Sequence, residues 1–548
     1  MTISVRHLLL VLLALGVGFS PLAGCRRAET TVARGNRDGI LHLGNGAEPS
    51  DLDPQIITGT KENNIIRALI EGLTQTNPQT SRPEPAVAER WDVSLDGKTY
   101  TFHLRPGLVW SNGDALTAHD FVYAYERMLN PLLGAEFAYY LWIIRGARDY
   151  NEDHHDGRHT TDFARVGVRA VDDRTLEIAL ENPTPYLLQL LSFTPFMPVH
   201  RGAIQAAGGQ TRRGTSWTRP EHLVGNGPFV LEEWTVNKVV ATRKNARYWD
   251  AGRVRLNGVR FYPTESIESE ERAFRSGQLH KTYDVPFAKI DTYRREHPEL
   301  LRTDHYTRTQ YLCLNCKRPP LDRPEVRRAL GMAVDREAIV RNLTRGGERA
   351  AYALTSPDIP GYAPRARLPF DPAAARTLLA QAGFPGGQGL PELELLFNTS
   401  EANRVIAEAV QQMWKKELGV NAVLSNQEWK VYLNRRKQQD YTVFEGGWTT
   451  SYLDPTGFLE LFVGGSIINQ AGWASAGYDR TLTEAAATLD PAARLERIQG
   501  AEEILMQEAP LLPIYHHNRV YLLSPAVKGW LPNLIDDHPY KYVWLEGA

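Results

Sequence analysis

The chain has 548 residues, with 42% hydrophobic and 23% charged side chains, which excludes a largely disordered or polytopic membrane protein and leaves room for several cores. Lys and Arg number 62 against 64 Asp and Glu, a net charge of -2, and no long run of either sign offers the basic stripe of a nucleic-acid binder. Three cysteines are too few for a disulfide scaffold.

Arg6 and His7 precede an unbroken apolar or glycine run, Leu8 to Phe19. As a helix that run spans about 18 Å, short of the ~30 Å hydrocarbon core, so residues 1–24 read as a signal peptide. Leu22-Ala23-Gly24-Cys25 resembles the lipobox of bacterial lipoproteins and marks Cys25 for lipidation; an ordinary secretory signal with an incidental cysteine is the alternative. Residues 25–38 read as a polar tether. No other segment is expected to span a bilayer, and the protein is expected outside the cytoplasm, held by its lipid.

Along the rest of the chain, His154, His155 and His159 cluster in a charged, glycine-containing stretch that reads as a solvated loop rather than a metal site. Cys313 and Cys316 form Cys-x-x-Cys in strand-like surroundings, unlike the helix N-terminus that activates redox thiols; two thiols or a strained disulfide both fit. Asp371-Pro372 and Asp490-Pro491 open helices, closed by Gly383 and ended by Pro510 respectively. Leu393 to Phe397 reads as a buried strand. Residues 401–418 place Val405, Ile406, Ala409, Val410, Met413, Trp414 and Leu418 on one helical face, with Gly419 as the stop. A strand over Val420 to Leu424, a helix over Glu428 to Gln439 and a strand over Tyr441 to Phe444 complete β-α-β-α-β, hence a parallel sheet. Its carboxyl edge carries Asn398-Thr399-Ser400 and the Gly446 to Tyr452 segment, where ligands of such sheets bind. Gly464-Gly465-Ser466-Ile467-Ile468 lacks the second glycine of a nucleophile elbow, and no phosphate loop or His-Glu-x-x-His appears. His516-His517 follows a strand-like Leu511 to Tyr515, as core or as cleft residues. Neither an enzyme, a cofactor nor a metal is expected.

An ordered set of motifs is similar to one family. Ala47-Glu-Pro-Ser-Asp-Leu-Asp-Pro54, Leu69-Ile-Glu-Gly-Leu73, Asp96-Gly-Lys-Thr-Tyr-Thr-Phe-His-Leu-Arg105, Trp110-Ser-Asn-Gly-Asp114, Gly225-Asn-Gly-Pro-Phe229 and Asn245-Ala-Arg-Tyr-Trp249 resemble the solute-binding proteins of peptide ABC importers, extracytoplasmic family 5. Asn426-Gln-Glu-Trp-Lys430 resembles the oligopeptide-binding branch. The resemblance implies an α/β fold: two lobes of the periplasmic-binding-protein-like type II, an extra inserted domain, and mixed sheets flanked by helices. It divides the chain into a discontinuous first lobe (39–70, 197–305 and 517–548), an inserted domain (71–196) and a second lobe (306–516). The implied function is capture of peptides or peptide-like solutes and delivery to a permease with its ATPase, by a monomer without nucleic acid. A secreted hydrolase, or a sensor or chaperone on the same fold, are the alternatives.

By the same resemblance, peptide backbone runs along Gly447, Trp448, Thr449, Thr450 and Ser451 and along Thr58, Gly59 and Thr60 as an added strand. Phe137, Tyr283, Cys313, Asn398, Asn403, Arg436, Trp448 and Tyr515 line the pockets. Two positions depart. Oligopeptide binders usually carry Asp where Ser451 stands, to pair the peptide ammonium, and some carry Arg where Glu445 stands, to meet its carboxylate. The ligand should therefore present a blocked or displaced amine near Ser451 or a cation near Glu445, unless the peptide shifts register and uses Asp454.

Overall fold

The computed structural model describes residues 29–153, 162–466 and 468–547. The expected signal peptide, Cys25, and His154, His155 and His159 lie outside the described residues. Among those described, no helix is long and apolar enough to cross a membrane.

Most of the expected tether is structured. Thr31–Asp38 is a helix, capped by the Thr30 hydroxyl, which accepts from Ala33 N at 3.1 Å, and closed by Gly39 at φ +67°. It docks on the body: Val32 N donates to Gly277 O at 2.9 Å, and Asn36 Oδ1 lies 3.0 Å from His280 Nε2. The sequence shows little of this, because an eight-residue helix held by caps and polar contacts is too short to show apolar periodicity.

The first lobe is built on a four-stranded sheet in the order Ile40–Gly44, Gly258–Tyr262, Val239–Lys244, Phe229–Thr235, with the first pair parallel and the others antiparallel. Leu41, Leu43 and Phe261 pack beneath Ile65, Ile66 and Leu69 of the helix Thr60–Leu69. A second core gathers between them in sequence. Strands Ala88–Val93, Thr99–Leu104, Thr175–Ala179 and Val168–Asp172 form an antiparallel sheet, and the helix Ala118–Leu129 covers it with Phe121, Tyr125 and Met128. Tyr452, from far along the chain, is buried in this same core.

The second lobe carries a six-stranded sheet in the order Arg349–Ala350, Leu511–Leu522, Leu301–Leu314, Val443–Thr449, Leu393–Asn398, Ala422–Gln427. The last three are parallel to one another, the β-α-β-α-β unit legible in the sequence. The helix between the first two, Glu401–Leu418, is capped by Ser400 and closed by Gly419 at φ +69°, and it buries Ile406, Val410, Trp414 and Leu418. The final strand differs: it starts at Val443 and runs on to Thr449, because an antiparallel neighbour, Leu301–Leu314, holds the Gly446–Thr449 stretch that reads as loop on local signals.

Leu301–Leu314 and Leu511–Leu522 pair along nearly their full length, with a register irregularity between His305 and Thr309. Beyond it their outer halves join the first lobe: Thr282 N donates to Leu522 O at 3.0 Å, and Lys281 bridges both Leu43 and Leu523. Two strands thus belong to both lobes, with the break in pairing at the crossing.

Candidate functional site

The site begins with an unfinished sheet edge. Val443–Thr449 pairs with Leu301–Leu314 throughout, but with Leu393–Asn398 only at Val443 and Phe444. Beyond that point its other side has no strand among the described residues. Along a strand the N–H and C=O of alternate residues point to opposite sides. The Glu445 carbonyl, on the unpaired side, accepts from the Tyr432 hydroxyl at 2.6 Å; Gly447 and Thr449, in step with it, direct their main-chain groups the same way. Trp448 is fixed by its indole N–H on Gly457 O at 2.7 Å. Thr450 continues the ladder, N to Thr307 O at 3.2 Å.

Two groups of polar side chains flank this edge. In the first, Glu445 is fully buried; its Oε1 accepts from Gln310 Nε2 at 3.1 Å and its Oε2 has no partner. Burial pushes its carboxyl up to about 8, so near neutral pH it is largely uncharged and can donate, which weakens the expected pull on a ligand cation. Arg308 lies beside it, on Thr449 Oγ1 at 3.4 Å and Gln310 Oε1 at 3.5 Å. A Cβ on Gly447 would fall 2.5 Å from both Arg308 Nη2 and Gln310 Oε1, so glycine here makes room for those two side chains. Tyr515 is paired with Gln310 in register, and its ring lies 4.8 Å from that of His517. In the second group, Arg436 lies over Phe444 at 4.2 Å, with Nε on Gln470 Oε1 at 2.8 Å and Nη1 on the Tyr432 hydroxyl at 3.1 Å. Cys313 is buried against Tyr441 and Arg436, and burial pushes its thiol up; Cys313 and Cys316 are both free thiols. A raised thiol pKa is the opposite of redox activation. Neither Arg308 nor Arg436 has an acidic ion-pair partner among the described residues.

The other candidates lie around this edge. Asn398 accepts from Asn403 Nδ2 at 2.8 Å, at the carboxyl end of its strand. Thr60 Oγ1 lies 2.9 Å from the Tyr283 hydroxyl, and Arg519 from the shared strands lies over the Tyr283 ring at 4.7 Å. Thr58 is exposed, Gly59 is extended, and Thr60 opens the helix Thr60–Leu69. His516 is core, with Nδ1 on Thr309 Oγ1 at 2.9 Å.

The second lobe meets the inserted domain at Ser451 and Tyr452. The Tyr140 hydroxyl faces Ser451; Phe137 packs on Tyr140 with centroids 5.6 Å apart. Tyr452 stacks on Tyr186 at 4.4 Å and 10°, and Leu453 N donates to Gln189 Oε1 at 2.7 Å. Asp454 departs from its expected part: both oxygens lie on Arg494, at 2.8 and 2.9 Å, and Oδ1 also accepts from Thr456. A bidentate arginine leaves it no charge to offer a ligand. Sequence alone places Tyr452 on the ligand edge but does not point to Tyr139, Tyr140, Tyr186, Glu460, Arg308 or Gln310. Tyr139 and Tyr140 adjoin Phe137 in sequence, a usable signal; Arg308 and Glu460 reach the site only through strand register and a helical turn.

The arrangement matches known proteins. The model of the bacterial extracellular solute-binding proteins, family 5 Middle, matches residues 82–470. The periplasmic oligopeptide-binding protein OppA of Salmonella typhimurium is 35% identical over 498 residues, 89% of this chain and 88% of that protein. The structure of the Escherichia coli murein tripeptide binding protein MppA superposes with a TM-score of 0.85 at 32% identity, covering 92% of this chain and 98% of that one. The unliganded open form of MppA gives only 0.69 at the same identity, covering 94% and 99%, in keeping with a second lobe that touches the inserted domain here through Tyr452 and Tyr186. The sheets, the two lobes and these likenesses agree: the chain belongs to the bacterial extracellular solute-binding proteins of family 5.

Proposed function

We propose that this protein captures peptides or peptide-like solutes between its lobes, outside the cytoplasm, and hands them to the permease of an ABC importer. The observation that carries the reading is the open main-chain edge at Gly447 and Thr449 beside the seam between the second lobe and the inserted domain. An extended peptide added there gains main-chain hydrogen bonds without having its side chains read. The surroundings suit varied side chains: two cationic groups without acidic partners, a neutral acid, and aromatic walls. The domain division implied by the family fits this reading, with the shared strands as the hinge about which the lobes close. Cys25 would carry the lipid.

Protein unfolded in denaturant, washed free of co-purified ligand and refolded should take up members of a mixed tri- to pentapeptide pool, read by native mass spectrometry. Failure to retain any peptide would sink the proposal. The anchor is tested separately: Cys25→Ala should move the protein from carbonate-washed membranes to the soluble fraction, and an unchanged membrane fraction would refute lipidation.

A further inference from the structure

The seam between the second lobe and the inserted domain holds an acid without a counter-ion. Glu460 starts the turn Glu460–Phe462, directly after the helix Thr456–Leu459. Its Oε1 accepts from the Tyr186 hydroxyl at 3.5 Å, across the seam, and its Oε2 from the Tyr452 hydroxyl at 3.2 Å. Its charge is also felt by Tyr139, Tyr140 and Tyr478. Asp454 and Arg494 face it as well, but Arg494 is already bidentate on Asp454. Glu460 itself makes no ion pair among the described residues. The count of charges at the seam is two carboxyls to one guanidinium, all drawn into an aromatic surround.

Burying a carboxylate without a cation is costly, and the cost is relieved by a proton or by an incoming positive group. Burial pushes the Glu460 carboxyl up to about 7, so it stands close to the point where either serves. The residue is half-buried rather than sealed, and the Tyr140 ring that faces it also faces Ser451, two residues beyond the strand Val443–Thr449. Tyrosine rings on two sides would also face a cation favourably.

We infer that Glu460 is the anchor for a primary ammonium group of the ligand, the charge that Ser451 lacks and that Asp454 has given to Arg494. This rests on the peptide reading above and narrows it: ligands with a free amino terminus are the preferred class, and a blocked or displaced amine is not required. A strand laid along Gly447 and Thr449 with its amino end towards Ser451 would bring its ammonium to this seam.

The test uses the refolded full-length mature protein and two pools, tri- to pentapeptides with free amino termini and the same peptides acetylated. Wild type should retain the free-amine pool over the acetylated pool by at least about tenfold, the scale of a charge-assisted hydrogen bond. Glu460→Gln, which keeps the volume and an acceptor for tyrosine, should reduce that ratio to near one while still retaining acetylated peptides. Ser451→Asp in the Glu460→Gln background should restore it. If wild type retains peptides without regard to acetylation, or if Glu460→Gln keeps the tenfold preference, the assignment of Glu460 is overturned and the peptide reading survives. If no peptide of either pool is retained, both fall.

Discussion

At the scale of single residues, the chemistry of the cleft is set by burial more than by formal charge. Glu445 is the clearest case: sealed from solvent, with one orphan oxygen and a carboxyl held at about 8. A carboxyl whose folded pKa lies above its unfolded value of about 4.5 binds more protons folded than unfolded between those limits, so its contribution to stability is full below about pH 4.5 and lost as pH rises towards 8. Glu445→Gln removes that loss. In urea titrations the variant should gain about 1–3 kcal/mol relative to wild type on going from pH 5 to pH 8; a difference independent of pH would contradict the protonated acid. His42 and His280 act with the opposite sign. They stack 5.6 Å apart, and burial lowers them to about 4 and about 3. Their stabilisation is full above the unfolded histidine pKa of about 6.5 and is lost as pH falls below it. His280→Asn should therefore flatten the acid side of the stability curve, with unfolding midpoints across pH 4 to 7 as the check; an unaltered acid side would contradict it.

At the scale of elements, the strand Val443–Thr449 joins fold to site. Its first two residues sit in the parallel sheet, and the remainder leans on Leu301–Leu314 alone. Gly447 is what allows Arg308 and Gln310 to lie across it. Gly447→Ala should weaken peptide retention by roughly tenfold by displacing those side chains towards the cleft, and Arg308→Ala should recover part of the loss. Equal affinity in the alanine variant, by native mass spectrometry, would show that the crowding is absorbed elsewhere. The elements legible in the sequence were those with local signals: Gly419 stops one helix, Asp490 opens another, and the apolar runs at 393–397 and 401–418 have unmistakable periods. What escaped is non-local. The Gly446–Thr449 strand needs a partner over 130 residues away to exist, and Asp454 is neutralised by Arg494 forty residues on. Thr31–Asp38 has caps but is only eight residues long, with Val32 and Ala33 as its apolar side chains, so periodicity passes over it. No scan of neighbours along the chain sees such pairings.

At the scale of the molecule, the proposed closure would be a packing event as well as a hinge motion. Tyr452 leaves its own lobe and is buried in the core around Phe121, Tyr140 and Phe196, stacked on Tyr186. Opening the lobes must withdraw this ring, so the ring biases the population towards the closed state that a bridging ligand also favours. Loaded protein should scatter with a smaller radius of gyration than empty protein. Tyr452→Ala loses roughly 1–3 kcal/mol of that bias, so compaction should require about ten- to hundredfold more of a bound peptide. A radius unchanged by ligand in wild type would argue for a rigid body instead.

The two strands shared by the lobes also set an order of assembly. Ile40–Gly44 is among the first strands made, yet its sheet closes on Gly258–Tyr262, and Lys281 ties that sheet to Leu523. The tail goes further still: Lys541 is buried on Glu71 at 3.2 Å, and Trp544–Leu545 pairs with Val527–Lys528. Neither lobe can therefore mature while the chain is still emerging amino-end first from a ribosome or a translocation pore. The oldest residues must wait, with their apolar faces uncovered, for the youngest to arrive. Intolerance of even short carboxyl-terminal truncations is what such a chain order entails.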